Sequence, residues 1–349
     1  MRTRVLIVDD SATMRAILSR MLGNEPDIEV IGVAADAREA RVMIRQLNPD
    51  VVTLDIEMPG MNGLDFLEKI MSLRPMPVVI VSGITQKGCD TTVRALELGA
   101  VDCYAKPDGS IHSLLDSDGG TLARMVRSAA RVQVWRGASP QPPRDPVSRQ
   151  TIAASSPNNQ VTKLIAIGAS TGGVEALHNI LPAFPENCPP TVIVQHISAA
   201  FAPAMAERLD RQCKAKVQLI QSGMLLQPGN IYLAPGNDKH AVIGGVDTIT
   251  AKMMEGDLVS GHRPSIDMLF ESVAHRIGPA AVGILLTGMG QDGARGLLMM
   301  RQAGARTIAQ DEATCVVYGM PRAAADMGAA EKILPLPRIA ERALSAVRM

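Results

Sequence analysis

The chain has 349 residues, of which 46% are hydrophobic and 20% charged. Its 35 basic and 35 acidic side chains give a formal net charge of +0, so it lacks the basic excess of a dominant nucleic-acid footprint. No apolar run approaches the ~20 residues needed to span a membrane, and MRTRVLIVDDS at the N-terminus, a short apolar run ending in two acids, does not read as a signal peptide. Aromatic residues are only 2%, so the cores must be aliphatic, with help from 20 methionines. The five cysteines, Cys89, Cys103, Cys188, Cys213 and Cys315, contain no C-x-x-C pair. That spacing suggests neither a zinc site nor a disulfide framework and fits buried free thiols in a reducing cytoplasm.

Length alone favours two or three domains, since domains commonly hold ~100–200 residues. In chain order, strands are predicted at Arg4–Val8, Ile28–Ala34, Val51–Leu54, Val78–Val81 and Val101–Tyr104. Helical patterns lie between them at Ala12–Leu22, Ala37–Gln46, Leu64–Ser72 and Gly88–Leu98. Short, wholly apolar strands separated by helices argue for a parallel sheet covered on both faces. Residues 1–125 therefore read as a five-strand, doubly wound α/β domain. Residues 126–160 read as a linker, because Trp135 to Gln160 is rich in Pro, Ser, Gln and Asn and has little apolar material to bury. Residues 161–349 form a second, mainly parallel α/β domain. Its predicted strands are Lys163–Ile167, Thr191–Gln195, Ile231–Ala234, Ala281–Leu286 and Arg306–Ala309, and IYLAPGNDKHAVIGG reads as a hairpin.

In open parallel sheets, functional groups gather beyond the carboxyl ends of the strands. In the first domain Asp9 and Asp10 follow strand one and Asp55 follows strand three. Ser82 and Lys106 follow strands four and five. Acids after strands are often turn formers or helix caps, but five polar groups at matching ends argue for one site. Clustered carboxylates repel, and a divalent cation relieves that. Mg²⁺ suits the set, since it takes carboxylate oxygens and bridges to phosphate. A carboxylate beside it can attack a phosphoryl group, with Ser82 and Lys106 on the transferred oxygens.

The motifs VDDS, LDIEMPGMNGLDFL and AKP resemble those of the response-regulator receiver family, over about the first third of the chain. That resemblance implies Asp55 as phosphoacceptor, and Mg²⁺ at Asp9, Asp10, Asp55 and the backbone carbonyl of Glu57. It also implies Ser82 and Lys106 at the phosphoryl group. The family often has an aromatic switch residue three positions before the lysine; here that residue is Cys103, with Tyr104 next.

In the second domain LIAIGASTGGVEAL runs from a strand through a sharp turn into a helix. Gly168-x-Ser170-x-Gly172 fits a G-x-S-x-G nucleophile turn. A dinucleotide fingerprint, G-x-G-x-x-G, would need glycine where Ser170 stands. A phosphate cradle and a purely structural turn remain alternatives on this stretch alone.

A nucleophilic serine needs a base and an orienting acid. His196 sits at a strand's carboxyl end, as Ser170 does, and is favoured. His262, in a loop before a helix, is the rival. His112 lies in the first domain's final helix region, His178 points away from the turn, His240 falls in the hairpin, and His275 lies in a helical pattern. Asp292 follows another strand in a Gly-rich turn; Asp311, at a later strand end, is the weaker rival. The order Ser, His, Asp departs from the Ser, Asp, His of α/β-hydrolases.

Together IGASTGG, QHIS, YLAPG, GHRPSID, LLTGMGQDGARGL and AQDEATCVVYGMPRAA resemble the chemotaxis protein-glutamate methylesterases. A receiver domain ahead of the catalytic domain is that family's architecture. The resemblance implies a triad of Ser170, His196 and Asp292, with an oxyanion hole from backbone N–H groups near Thr171 and Met289, and no cofactor in the catalytic domain. It implies hydrolysis of glutamate methyl esters on chemoreceptors, glutamine deamidation, and control by phosphorylation from a chemotaxis histidine kinase. Its partners are those receptors and that kinase, in the cytoplasm, with no nucleic acid and no embedding in the membrane.

Overall fold

A computed structural model describes residues 2–58, 61–106, 120–132, 163–245 and 248–345. His112 and the linker stretch Trp135–Gln160 lie outside the described residues. Among the described residues no helix is long and apolar enough to cross a membrane.

The first sheet contains β1 (Thr3–Val8), β2 (Ile28–Ala34), β3 (Val51–Asp55), β4 (Val78–Ser82) and β5 (Asp102–Ala105). All pairings are parallel, in the order β2-β1-β3-β4-β5. β3 and β4 are buried at every residue, as expected for strands covered on both faces. The helices start where the sequence supplies side-chain caps. The Asp36 carboxylate accepts from the Arg38 and Glu39 amides, and the Asn62 side-chain oxygen from those of Leu64 and Asp65. The helix Thr121–Ala129 lies against β4 and β5 and buries Leu122, Ala123 and Val126.

The second sheet has seven strands, ordered β14-β13-β12-β6-β7-β9-β8. They are β6 (Leu164–Ala169), β7 (Thr191–Gln195), β8 (Lys216–Leu219), β9 (Asn230–Leu233), β12 (Ala281–Leu285), β13 (Arg306–Gln310) and β14 (Lys332–Leu334). Every pairing within it is parallel. The two edge strands, β8 and β14, escaped the sequence reading because they are short and partly exposed.

The expected hairpin across IYLAPGNDKHAVIGG is not formed. β9 instead lies between β7 and β8, while β10 (His240–Gly244) pairs antiparallel with β11 (Thr250–Met254) in a separate two-stranded sheet. Ile231, Tyr232 and Leu233 are buried, so β9 is a central strand and cannot double as a hairpin arm. All five cysteines are free; Cys89, Cys103 and Cys188 are buried, while Cys213 and Cys315 are half-buried.

The order β12-β6-β7 matters most for function. Three adjacent parallel strands deliver the residues after Ala169, Gln195 and Leu285 to one sheet edge. The first domain packs close to that edge. Its helix Gln86–Glu97 lies against the helices Gly173–Ile180 and Ala202–Gln212.

Candidate functional site

At the carboxyl edge of the first sheet, Lys106 Nζ lies 2.7 Å from Asp55 Oδ2 and 2.9 Å from Asp9 Oδ2. Carboxylate oxygens of Asp9, Asp10 and Asp55 lie within 4.8 Å of one another. Burial pushes the Asp9 carboxyl above its ordinary range, and the Asp55 charge adds to that rise against the pull of Lys106. Burial acts to lower the Lys106 ammonium, but Asp55 and Asp9 outweigh it and raise its pKa. Asp55 Oδ1 accepts from the Glu57 amide at 3.1 Å, which sets residue 57 beside the cluster. Ser82 ends β4, and its carbonyl accepts from the Lys106 amide at 2.7 Å. An all-oxygen set with one cation on its rim fits a hard divalent ion such as Mg²⁺.

In the second sheet, β6 ends one residue before Ser170. Gly172 then takes φ +76°, and a Cβ there would meet Val316 Cβ at 2.4 Å. This turn therefore needs glycine twice over, for its backbone and for its space. The Ser170 amide donates to the Thr287 carbonyl at 3.0 Å, and the His196 amide to the Ala169 carbonyl at 3.0 Å. Gln195 ties the two residues together: its Nε2 donates to the Ser170 carbonyl at 2.9 Å and to the His196 carbonyl at 3.1 Å. Gly288 permits the close approach of the β12 loop, since a Cβ there would lie 2.6 Å from Ser170 Cβ.

His196 Nε2 lies 2.9 Å from Asp292 Oδ2. Asp292 is 1% exposed and accepts three further bonds. They come from the Ser265 hydroxyl at 2.7 Å, the Ile266 amide at 2.8 Å and the Asp267 amide at 3.1 Å. Two of these donors belong to the start of the helix Ile266–Arg276, whose dipole also favours an anion. Burial would raise the Asp292 carboxyl, but His196, the Ile266 amide and the Ser265 hydroxyl together hold it below the usual carboxylate range. An ionised carboxylate only accepts, so Nε2 carries a proton, and in a neutral ring that leaves the lone pair on Nδ1. Nδ1 is buried and has no hydrogen-bond partner. Ser170 and His196 are thus adjacent in the fold without being hydrogen-bonded in this arrangement.

The Thr171 and Met289 amides donate to no protein carbonyl among the described residues. Both sit on turns beside Ser170, one directly after it and one after Gly288.

The remaining histidines separate cleanly. His262 stacks on His196, with ring centroids 3.8 Å apart and planes 9° apart, and makes no bond to Asp292. His240 Nδ1 accepts from the Ser265 amide at 3.1 Å, while its Nε2 lies 2.9 Å from the Asp257 carbonyl. His178 Nδ1 lies 2.6 Å from Gln212 Oε1, and His275 is exposed. Asp311 caps a short turn, accepting from the Thr314 amide and hydroxyl.

The sequence reading passed over Gln195, Ser265, Thr287 and Asp102. Gln195 and Ser265 stand inside the motifs QHIS and GHRPSID, but what they hold is set only by the fold. Asp102 comes from the first domain: its Oδ2 accepts from the Thr171 hydroxyl at 3.2 Å. Val101, Asp102 and Cys103 close a small pocket against Ser170, Thr171 and His196. Burial pushes the Asp102 carboxyl up to about 6, against the Cys103 amide and Thr171 hydroxyl, which act to lower it.

Residues 165–343 match the family described as CheB methylesterase, and residues 5–115 match the response regulator receiver domain. The chain is 54% identical over 346 residues to the protein-glutamate methylesterase/protein-glutamine glutaminase 1 of Caulobacter vibrioides, spanning 98% of this chain and 97% of that one. It is 52% identical to the corresponding protein of Agrobacterium fabrum, over 98% of this chain and 95% of that one. The crystal structure of the Thermotoga maritima CheB methylesterase catalytic domain superposes with a TM-score of 0.52 at 34% identity, covering 53% of this chain and 98% of that chain. The chain belongs to the CheB methylesterase family, with a response-regulator receiver domain ahead of the esterase domain.

Proposed function

We propose that this protein removes methyl esters from glutamate side chains of chemoreceptors, with Ser170 as nucleophile, His196 as base and Asp292 as orienting acid. The observation that supports this most is the His196–Asp292 bond, because it leaves Nδ1 buried and unpartnered on a residue that lines the same small pocket as Ser170.

In this reading Nδ1 takes the Ser170 proton as Oγ attacks the ester carbonyl. Asp292 stabilises the imidazolium that forms. The carbonyl oxygen becomes an oxyanion next to the Thr171 and Met289 N–H groups. The ester C–O bond breaks, and methanol leaves with the proton held on Nδ1. Water then attacks the acyl-serine, returns the proton through His196 and releases the glutamate. The same sequence on a glutamine amide releases ammonia.

The receiver's part rests on the acidic cluster. Asp55 takes a phosphoryl group from a chemotaxis histidine kinase, with Ser82 and Lys106 on its oxygens. The carboxylates of Asp9, Asp10 and Asp55, with the Glu57 carbonyl, would hold Mg²⁺, which offsets their repulsion and the phosphoryl charge. In the arrangement seen, Asp102 and Glu97 hold the receiver over the Ser170 pocket, and phosphorylation releases it. In this reading the chain divides into a receiver at 1–125, a linker at 126–160 and a catalytic domain at 161–349. The setting is cytoplasmic.

The test is methanol release from methylated receptor, with and without a small-molecule phosphodonor. Ser170→Ala should abolish turnover, and Asp55→Asn should abolish only the stimulation. Retained turnover in Ser170→Ala would overturn the triad. Undiminished stimulation in Asp55→Asn would overturn the gating.

A further inference from the structure

We infer that His262 is a positioning residue for the esterase reaction: its ring lies flat on the His196 imidazole and fixes the plane of that ring. The inference rests on the triad proposed above. It assigns His262 a role other than the base for which it competed in the sequence.

The geometry carries it. Beyond its Cβ–Cγ bond, the His196 ring is held by one hydrogen bond, from Nε2 to Asp292 Oδ2 at 2.9 Å. A ring held only at Cγ and Nε2 can still rock about the line between them, and rocking turns Nδ1. A second ring, 3.8 Å away and tilted by only 9°, removes that freedom by contact over the whole face. Offset and stacked aromatic pairs are favourable beyond the area they bury.

His262 is itself held. Its amide donates to the Val259 carbonyl at 2.9 Å, and its carbonyl accepts from the Val259 amide at 3.1 Å. Ser260 and Gly261, with φ +53° and +80°, turn the chain between these bonds. Three residues further on, the same segment presents the Ser265 hydroxyl to Asp292. One stretch, 259–267, thus clamps the base on its face and the acid at its rear.

The charge state suits the task. Burial is the main cause that pushes His262 down to about 4, and the neighbouring His196 and Arg124 push the same way against Asp292. A neutral ring presents a π face to the imidazolium formed during attack, and a cation over such a face is attracted. A charged ring in its place would repel it.

The test uses the full chain, saturating phosphodonor and methylated receptor, so that receiver docking does not limit turnover. His262→Ala removes the face, His262→Leu keeps bulk without a π face, and His262→Phe keeps both bulk and face. Expected are a kcat about tenfold lower for Ala and Leu, a Phe variant within about threefold of the unsubstituted protein, and KM unchanged throughout. ¹⁵N-histidine NMR should show His196 as a single Nε2–H tautomer in the unsubstituted and Phe proteins, and exchange-broadened in Leu. If the Ala variant does not fold, the Phe and Leu pair decides. Equal kcat for Phe and Leu, or a loss carried by KM, overturns the inference. Ser170→Ala runs beside them: turnover there would instead mean that the triad itself is misassigned.

Discussion

The receiver is held over the Ser170 pocket by a charged contact that can be cut without touching either site. Glu97, the last residue of its helix, pairs with Arg208 through both carboxylate oxygens. Glu97 also lies 3.2 Å from His178 Nε2. The Glu97 and Arg208 side chains are 18% and 28% exposed, so solvent screens the pair only in part. Bonds to charged groups contribute ~1.5–3 kcal/mol when protected, and exposed pairs ~0–1 kcal/mol. A value near 1.5 kcal/mol lies between these limits and corresponds to about tenfold in the docking equilibrium. Glu97→Gln should therefore raise basal methanol release by up to about tenfold and leave the phosphodonor-stimulated rate unchanged. Arg208→Glu should do the same, and the exchange E97R/R208E should restore low basal turnover. The loss should also shrink at high salt, where the wild-type pair is already weakened. If both single variants fold and keep wild-type basal turnover and wild-type stimulation, this contact does not restrain the enzyme.

Asp102 supplies a pH test. Its carboxyl is raised to about 6 in the docked arrangement, above its ordinary 3.8, mainly by burial. Docking should thus strengthen as pH falls through 6 toward 4 and level off at its weaker value above about 6, and Asp102→Asn should flatten that window in hydrogen exchange at Thr171; strengthening with rising pH would contradict the sign. Ser265→Ala removes a bond to Asp292 and the cap of the helix Ile266–Arg276. It should cost ~1 kcal/mol in denaturant unfolding and lower kcat, and an unchanged kcat would mean Asp292 is held well enough by the two amides. Gly288→Ala forces a Cβ to within 2.5 Å of Met320 Sδ and 2.6 Å of Ser170 Cβ. A displacement of ~1 Å at a reacting group can cost ~100-fold, so this variant should be nearly inactive even if folded. Chelation of divalent cations should abolish phosphodonor stimulation while leaving basal methanol release intact.

Much of this was written in the strand ends. A parallel strand followed by a turn residue is a local pattern, so Asp9, Asp55, Ser170 and His196 could each be placed at a sheet edge from a few neighbours. Their convergence then depended only on strand order, which parallel connectivity restricts. What the sequence hides is pairing between distant backbones. IYLAPGNDKHAVIGG has the alternation and turn residues of a hairpin, yet β9 is claimed by β7 and β8. Local pattern lost there to burial in a larger sheet. β8 and β14 are only 4 and 3 residues long, too short for a period to register. Gln195, Ser265 and His262 act through carbonyls, carboxylates and ring faces that come near only after folding. Polar residues inside a motif gave the sole advance signal.

The hardest feature to read was the link between the two sites, and the fold makes it short. Lys106, which pairs with Asp55, directly follows β5, and Asp102, which meets Thr171, begins it. At ~3.3 Å per residue the two ends of this strand lie ~13 Å apart. A second connection runs beside it. The Thr85 hydroxyl caps the helix Gln86–Glu97 and donates to Glu57 Oε1 at 3.3 Å, next to Asp55. The far end of that helix is Glu97, on Arg208. A twelve-residue helix spans ~18 Å, and packed elements of this kind shift as bodies instead of bending. Each element therefore has one end at the acidic cluster and the other on the esterase domain. In the proposed reading, a phosphoryl group on Asp55 would act on both near ends at once. The Glu97 and Asp102 contacts need yield only by a little more than a hydrogen-bond length to break. If coupling follows this route, a substitution at Thr85 that uncaps the helix, such as Thr85→Ala, should weaken phosphodonor stimulation while basal turnover and Asp55 phosphorylation persist. Full stimulation in that variant would leave β5 as the route between the sites.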